Sequence, residues 1–317
     1  MITYGAEAPG AGKSTYYNLI RDRSIVDSKN YEHTDRNGHV KGLLINFQIA
    51  TSESTNLSLI TASNSWRMRN SFRKFHAYRE LMFENAGVSK EERGRYGHTI
   101  RPYMSPCHLA EEKLYAVNPE TGEIGKVALF DCNASAFANG GEWTYSRLAT
   151  TPLLLDNGPN AGDLPLPLAD EFPLTICGST QDQSTFPKTS GTYASVGMIH
   201  AYNVDRQDIA TPTTFDEVIT GPANPLAALI ASGNQAAGEI LEITTELELE
   251  KPPYDISEDG DSVKAQLQKL VKVPSIGGIV SGSMFVPAGI LQVYSPGAST
   301  FTLHVEIVGE VLCKDMA

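Results

Sequence analysis

The sequence predicts an all-β protein with a few short helices, and three observations carry that prediction. Several short segments alternate apolar and polar residues with a period of two. Turn formers are abundant, with 27 Gly and 18 Pro. The regular succession of strand and helix that a parallel α/β sheet requires is missing. At 317 residues with 41% hydrophobic residues, the chain is long enough for two domains and apolar enough to fill a core.

Residues 1–40 are polar and read as an arm that becomes ordered only against a partner surface. Within it, Ser14–Ile20 fits a short helix with Tyr17 and Ile20 on one side. An arm of this kind should be removable without unfolding the body. Strands follow: Leu43, Ile45, Phe47 and Ile49 alternate with Leu44, Asn46, Gln48 and Ala50, and Leu57–Thr61 forms the next. Asn70–Asn85 changes period. Phe72, Phe75, Arg79, Met82 and Phe83 recur at spacings of three and four, and Ala86-Gly87 supplies a stop, so this is the best helix in the chain.

Leu114–Val117 and Glu123–Phe130 flank the turn Asn118-Pro-Glu-Thr-Gly122 and read as a hairpin. Trp143–Leu148 and Ser195–Tyr202 are further strand candidates. Two long loops, Asp156–Pro173 and Gly178–Gly191, decorate this stretch. Asn203–Pro222 is the expected boundary between halves, followed by a short helix over Pro225–Ser232. Leu241, Ile243, Thr245, Leu247 and Leu249 then share one strand face, with Glu242, Thr244, Glu246, Glu248 and Glu250 on the other. Ser262–Lys272 fits a helix with Val263, Leu267, Leu270 and Val271 inward. Val273–Leu303 carries no charge, yet its Gly, Pro and Ser content speaks for strands and turns, not a membrane helix. Gly289–Tyr294 and Phe301–Val308 close the chain as strands.

The formal net charge is −12, which argues against a protein wrapped around naked nucleic acid. The charge is split. Residues 1–101 hold 15 Lys/Arg and 10 Asp/Glu, a net of +5, and the remainder is strongly acidic. Met1–Thr15 lacks the apolar stretch of a signal peptide. Cys107, Cys132, Cys177 and Cys313 are irregularly spaced and read as free buried thiols.

Several motifs invite chemistry. Glu7-Ala-Pro-Gly-Ala-Gly-Lys13-Ser14-Thr15 matches the end of a phosphate-binding loop, but Glu7 stands where the first glycine belongs. Asp131 is the candidate partner aspartate, and it follows an expected hairpin strand. A flexible Gly-rich arm explains the segment better. Asp255-Ile-Ser-Glu-Asp259-Gly260 opens like a calcium loop, but Gln266 occupies the position of the bidentate carboxylate, so a solvated acidic turn is the better account. Between Arg67 and Arg101, nine basic residues interleave with Trp66, Phe72, Phe75, Tyr78, Phe83 and Tyr96. That pattern suits anionic headgroups or phosphates. A helix with an aromatic inner face and a salt-bridged outer face explains it more simply, given Glu80, Glu84, Glu91 and Glu92. The seven His residues are scattered, and Cys107-His108 is a lone pair. Asn56-Leu-Ser58 and Asn133-Ala-Ser135 are formal glycosylation acceptors. No catalytic, cofactor-binding or metal-binding residue is assigned, no cofactor is expected, and the chain is read as a non-enzyme.

Two strand-rich units, a polar N-terminal arm and a C-terminal Phe301–Val311 strand resemble the double jelly-roll major capsid proteins of tailless, membrane-containing icosahedral bacteriophages. The nearest group is the one typified by the Flavobacterium phage FLiP, the Finnlakeviruses. The resemblance covers most of residues 41–317 and rests on architecture, not on a short motif. It implies two tandem eight-stranded jelly rolls, at 41–205 with loop insertions and at 206–317, behind an N-terminal arm at 1–40. It implies homotrimers of pseudo-hexagonal outline that self-assemble into a virion shell around an internal membrane and genome. The implied partners are the chain itself, neighbouring capsomers and vertex proteins, with the N-terminal region against the membrane and no sequence-specific nucleic acid. The implied location is the virion, and the host cytoplasm before assembly. Two other functions compete: a P-loop-like nucleotide-binding protein that needs Lys13, and a carbohydrate-binding or adhesive β-sandwich using the 156–191 loops.

Overall fold

In the computed structural model, the described residues are 1–7, 9–89, 91–105, 107–108, 112–113, 116–117, 124–125, 143–149, 171–177, 196–199, 202, 265–274 and 277–313. In chain order the elements begin with β1 (Ile2–Glu7), β2 (Lys13–Asn18), α1 (Leu19–Asp27), β3 (Lys41–Thr51), β4 (Thr55–Ala62) and α2 (Trp66–Asn85). Short strands follow: β5 (Glu112–Lys113), β6 (Ala116–Val117), β7 (Ile124–Gly125), β8 (Arg147–Ala149), β9 (Glu171–Thr175) and β10 (Val196–Gly197). The last four are β11 (Ala265–Val273), β12 (Gly278–Pro287), β13 (Ile290–Ser295) and β14 (Phe301–Leu312). The protein is mainly antiparallel β-sheet, as the sequence predicts.

Eight strands build the main body. One sheet runs β1-β14-β3-β12 and the other β11-β4-β13-β2, with β5 added beyond β2. Consecutive members of the eight alternate between the sheets except at β4 and β11, which are neighbours in one. Counted one to eight, the orders are 1-8-3-6 and 5-4-7-2, the wrapping of a jelly roll. The period-two pattern explains why. Leu43, Ile45, Phe47 and Ile49 of β3 are buried, as are Leu57 and Leu59 of β4, Leu291 and Val293 of β13, and Leu303 and Val305 of β14. These inner faces make one core cluster between the sheets.

Both ends of the chain enter that core, which departs from the expected arm. Ile2 pairs with Val305 and Tyr4 with Leu303, and Lys13–Asn18 pairs antiparallel along β13. Ile2, Tyr4, Tyr17, Leu19 and Ile20 are buried in the same cluster. The expected helix over Ser14–Ile20 is therefore a strand as far as Asn18. Thr15 and Tyr17 bury one face of it, and β-branched and aromatic residues favour a pleated surface. Helix α1 starts only afterwards, where the Asn18 side chain accepts the Arg21 amide at 3.1 Å as an N-cap.

Tandem rolls divided at residue 205 are likewise not what the described strands form. β3 pairs with β12 and β14, and β4 with β11 and β13, so strands assigned to separate rolls share one sandwich. Ala62 of β4 sits opposite Ala265 of β11, so residues 63–264 leave and re-enter through neighbouring strand ends. The helix expected over Ser262–Lys272 is strand from Ala265. Its apolar spacing fitted a helix, but Leu267 and Leu270 are exposed, while Val271 and Val273 point inward and the backbone bonds to β4. The expected helix at 225–232, strand at 241–250 and boundary at 203–222 lie outside the described residues.

Other expectations hold. α2 contains the foreseen helix and begins at Trp66. It ends at Asn85, and Gly87, at φ 69°, closes it off while the Val88 amide reaches the Phe83 carbonyl at 3.0 Å. β6 and β7 pair as the short described core of the predicted hairpin. A second core cluster joins Met68, Phe72, Phe75 and Tyr78 of α2 to Ile100, Met104, Leu174, Ile176 and Met198. It continues onto Tyr16, Ala62 and Ile290 of the roll. The described part of the inserted segment is thus packed against one end and shoulder of the sandwich.

The Ala288-Gly289 turn closes that end. Gly289 has φ 64°, and a Cβ there would come within 2.4 Å of the Ile20 side chain. Gly289→Ala should lower stability by about 3 kcal/mol, through overpacking and left-handed strain together. Urea unfolding of the purified variant measures this, and an unchanged midpoint would show that the turn relaxes freely.

Candidate functional site

Among the described residues, the most elaborate polar arrangement lies where the roll meets the inserted segment. Residues 30–34, between α1 and β3, run beside residues 99–104. Arg101 Nε donates to Glu32 Oε2 at 2.7 Å and its Nη2 to Asn30 Oδ1 at 3.0 Å, while Thr99 Oγ1 donates to Glu32 at 3.0 Å. The Arg101 guanidinium lies 4.0 Å from the centre of the Trp143 ring. Glu32 and Arg101 are both buried. The Arg101 and Ser146 backbones also bond to each other's residue: the Arg101 amide donates to Ser146 Oγ and the Ser146 amide to the Arg101 carbonyl, both at 2.9 Å.

His33 sits beside this pair and is fully buried. Its Nδ1 faces the Ala288 carbonyl and so carries the proton, and its Nε2 faces the Asn18 amide group at 3.4 Å and so accepts. Asn18 Nδ2 also donates to the Tyr145 hydroxyl at 2.8 Å. Neutral imidazole satisfies both contacts. Burial is the largest influence and lowers the His33 pKa to about 4, with Arg101 and His108 adding to it against the Ala288 bond and Glu32. Because the folded value lies below the ordinary one, the unfolded chain binds the extra proton between about pH 6.5 and 4. Stability contributed by neutral His33 is therefore present above that window and lost as pH falls through it, up to about 3 kcal/mol. Urea titrations across this range should show a steeper loss for wild type than for His33→Gln, and parallel curves would contradict the assignment.

Next to the pair opens a cavity of about 520 Å³, lined by Glu32, Thr34, Asp35, Arg36, Lys41, Arg93, His98 and Thr99. Its charges are largely answered from within. Arg93 pairs with Glu80, Lys41 Nζ lies 2.8 Å from Glu310, and Asp35 Oδ1 accepts the amides of Asn37 and His39. Such a wall supports a polar, hydrated crevice and assigns no ligand.

The phosphate-loop motif does not fold as a phosphate cradle. The Gly12 amide donates to the Ser295 carbonyl at 2.9 Å, and Lys13–Asn18 continues as a strand along β13, not as a helix pointing its amides at an anion. Ser14 Oγ accepts from Gln292 at 2.7 Å. Asp131, Asp255 and Asp259 lie outside the described residues, and Gln266 stands on β11. Among the described residues, no group of three or more His, Cys, Asp or Glu is arranged to hold a metal ion. Asn56 is exposed on β4, and Asn133 lies outside the described residues.

Much of the basic stretch points inward. Arg67, Lys74, Arg93 and Arg101 are buried. Lys74 Nζ lies 5.6 Å from the Tyr202 ring centre, and Arg79 donates to the Thr99 carbonyl and, at 3.3 Å, to Ser146 Oγ. These cations bind the inserted segment together instead of forming an open anion-binding face. His108, next to Cys107, is buried, stacks on Tyr16 with ring centres 5.0 Å apart, and accepts the Met104 amide at 2.9 Å. Cys107, Cys177 and Cys313 are free thiols, and burial raises the Cys177 pKa to about 12 and that of Cys313 to about 11.

The polar seam was invisible in the sequence because its roll side, Asn18 and Asn30–Thr34, falls in the supposed arm. The available signal was the alternation of Ile2 and Tyr4 with Thr3 and Gly5, and of Thr15 and Tyr17 with Ser14 and Tyr16. Among the described residues, no helix is long and apolar enough to cross a membrane. No protein-family model, curated protein or solved structure matches the chain.

Proposed function

We propose that this chain is a structural protein that encloses: a capsid subunit that assembles with copies of itself into a virion shell. The observation that carries the proposal is the eight-strand roll in which β1 and β14 pair within one sheet, with the described part of a long inserted segment packed on one end. Such a body is stiff, because each sheet is braced by the other, while the segment between β4 and β11 is free to vary. Elaborate polar groups are spent on holding the inserted segment to the roll, which fits a mechanical role better than turnover.

The sequence resemblance implies homotrimers, an internal membrane and partner vertex proteins, and these belong to the proposal. The pseudo-hexagonal outline that the resemblance implies belongs to it as well, and the described strands supply one roll of each subunit. A nucleotide-binding protein is disfavoured by the strand conformation of Lys13–Asn18. Light scattering and negative-stain microscopy of purified protein test the proposal. Closed particles should form without nucleotide, and a chain that builds none under any salt or pH condition would refute it.

A further inference from the structure

We infer that the seam between the roll and the inserted segment is an acid-released latch: protonation of His33 and His76 undocks the inserted segment while the roll stays closed. Each side of the seam sets one histidine against the other. His33 comes from the roll-side segment between α1 and β3, and its ring centre lies 5.8 Å from that of Trp143 in the inserted segment. His76 comes from α2 and meets the turn that leads into β3, where a Cβ on Gly38 would fall 2.8 Å from the His76 side chain.

The surroundings of His33 suit neutral imidazole and not the cation. Nδ1 already donates to the Ala288 carbonyl, so protonation adds a second donor at Nε2. That nitrogen faces Asn18 Nδ2, itself a donor. Turning the Asn18 amide over gives no remedy, because its Oδ1 accepts the Arg21 amide as the cap of α1, and the turned NH2 would meet that amide donor to donor. The titratable or charged groups around the ring are Glu32 on its own segment and Arg101, His108 and Tyr145 from the inserted segment, while β2 and the turn after β12 present Asn18 and the Ala288 carbonyl. Glu32 favours the cation, but it already accepts from Arg101 and Thr99, so turning it to His33 would release Arg101 and with it the seam.

His76 adds a second site. Its Nδ1 is buried and has no hydrogen-bond partner among the described residues. The charged groups around it are Asp35 from the turn before β3, Glu80 and Arg79 on α2, and His98. Burial is the largest influence and lowers its pKa, as it does for His33. A proton at Nδ1 needs water there, which requires α2 to lift from the Gly38 turn. The core between the sheets is different. Its members are apolar side chains and two tyrosines, and none changes charge between pH 7 and 4. Both histidines bind protons more readily once released, so acid favours the open seam. With His33 at about 4 when docked and about 6.5 when released, the opening equilibrium should rise about 30-fold between pH 7 and 5 from this residue alone. The latch concerns a single chain and stands whether or not the chain builds a shell.

The test is hydrogen exchange of the full chain at pH 7 and pH 5, corrected for the intrinsic pH dependence of exchange. Ile100–Met104 should be at least about tenfold less protected than β3 at both values, and should lose about 30-fold in protection between them. His33→Gln keeps a donor for Ala288 and an acceptor for Asn18 but does not titrate, so it should remove most of that loss. Adding His76→Gln should remove more. Equal protection of the seam and β3 at both pH values would overturn the inference, as would an undiminished loss in the double variant. If a variant fails to fold, NMR titration of the wild-type histidine rings decides. Two rings titrating well below pH 6.5, in step with the loss of protection, support the latch, and all rings titrating near 6.5 refute it.

Discussion

Removing residues 1–40 should abolish folding, not merely impair assembly. The deletion takes away β1 and β2, leaving β14 and β13 with one unpaired side each. It also strips Ile2, Tyr4, Tyr17, Leu19 and Ile20 from the core between the sheets. Burial of these five side chains is worth on the order of 10 kcal/mol, about the whole net stability of an ordinary domain. The loss extends further, because α1 carries a buried charged cluster: Arg21 Nη2 bonds Asp22 Oδ1 at 2.9 Å, and the Tyr4 hydroxyl donates to Asp22 Oδ2. Circular dichroism and thermal melting of the truncated chain are the checks. A cooperative melt from a soluble truncated protein would mean that the roll closes without its first two strands.

Glu32→Ala should be the most damaging single substitution at the seam. It leaves the Arg101 guanidinium buried against Trp143 without its carboxylate, a situation that costs about 3–5 kcal/mol. Replacing both partners, as Glu32→Leu with Arg101→Met, should recover much of that loss, because the desolvation cost of the two charges disappears with them. The double-variant cycle measured by urea unfolding separates the pair from its surroundings. Equal losses for single and double variants would mean that Arg101 finds another partner on removal of Glu32. The single variant should also loosen the inserted segment ahead of the roll, visible as faster amide exchange over Ile100–Met104 than over β3.

Legibility from the sequence varied with how each residue's burial was shared. β3, β13 and β14 were readable because their apolar residues fall on one face of a half-buried pleat, as Leu43, Ile45, Phe47 and Ile49 do. α2 was readable for the same reason at helical spacing. β11 was misread because its apolar positions serve two surfaces: Val271 and Val273 face the core while Leu267 and Leu270 stay exposed. Taken together they mimic the spacing of a helix face. β1 and β2 were misread because their inward residues include Thr15 and the tyrosines Tyr4 and Tyr17, whose hydroxyls make the segment look polar. The seam was illegible for a different reason. Glu32 and Arg101 become neighbours only through the tertiary fold, and no local spacing announces a pair separated by that much chain. Pairing the two halves of the sequence in one sandwich was also beyond reach, since strand pattern fixes which face is buried but not which strand lies alongside.

The register that sets Ile2 against Val305 gives the body a very high contact order. During synthesis, the first two strands emerge early and must wait for partners that are translated much later. A nascent chain on the ribosome cannot close its sheets until β13 and β14 have emerged. A partial polypeptide therefore carries β1 and β2 as unpaired strands, so the topology ties closure of the sandwich to synthesis beyond β12.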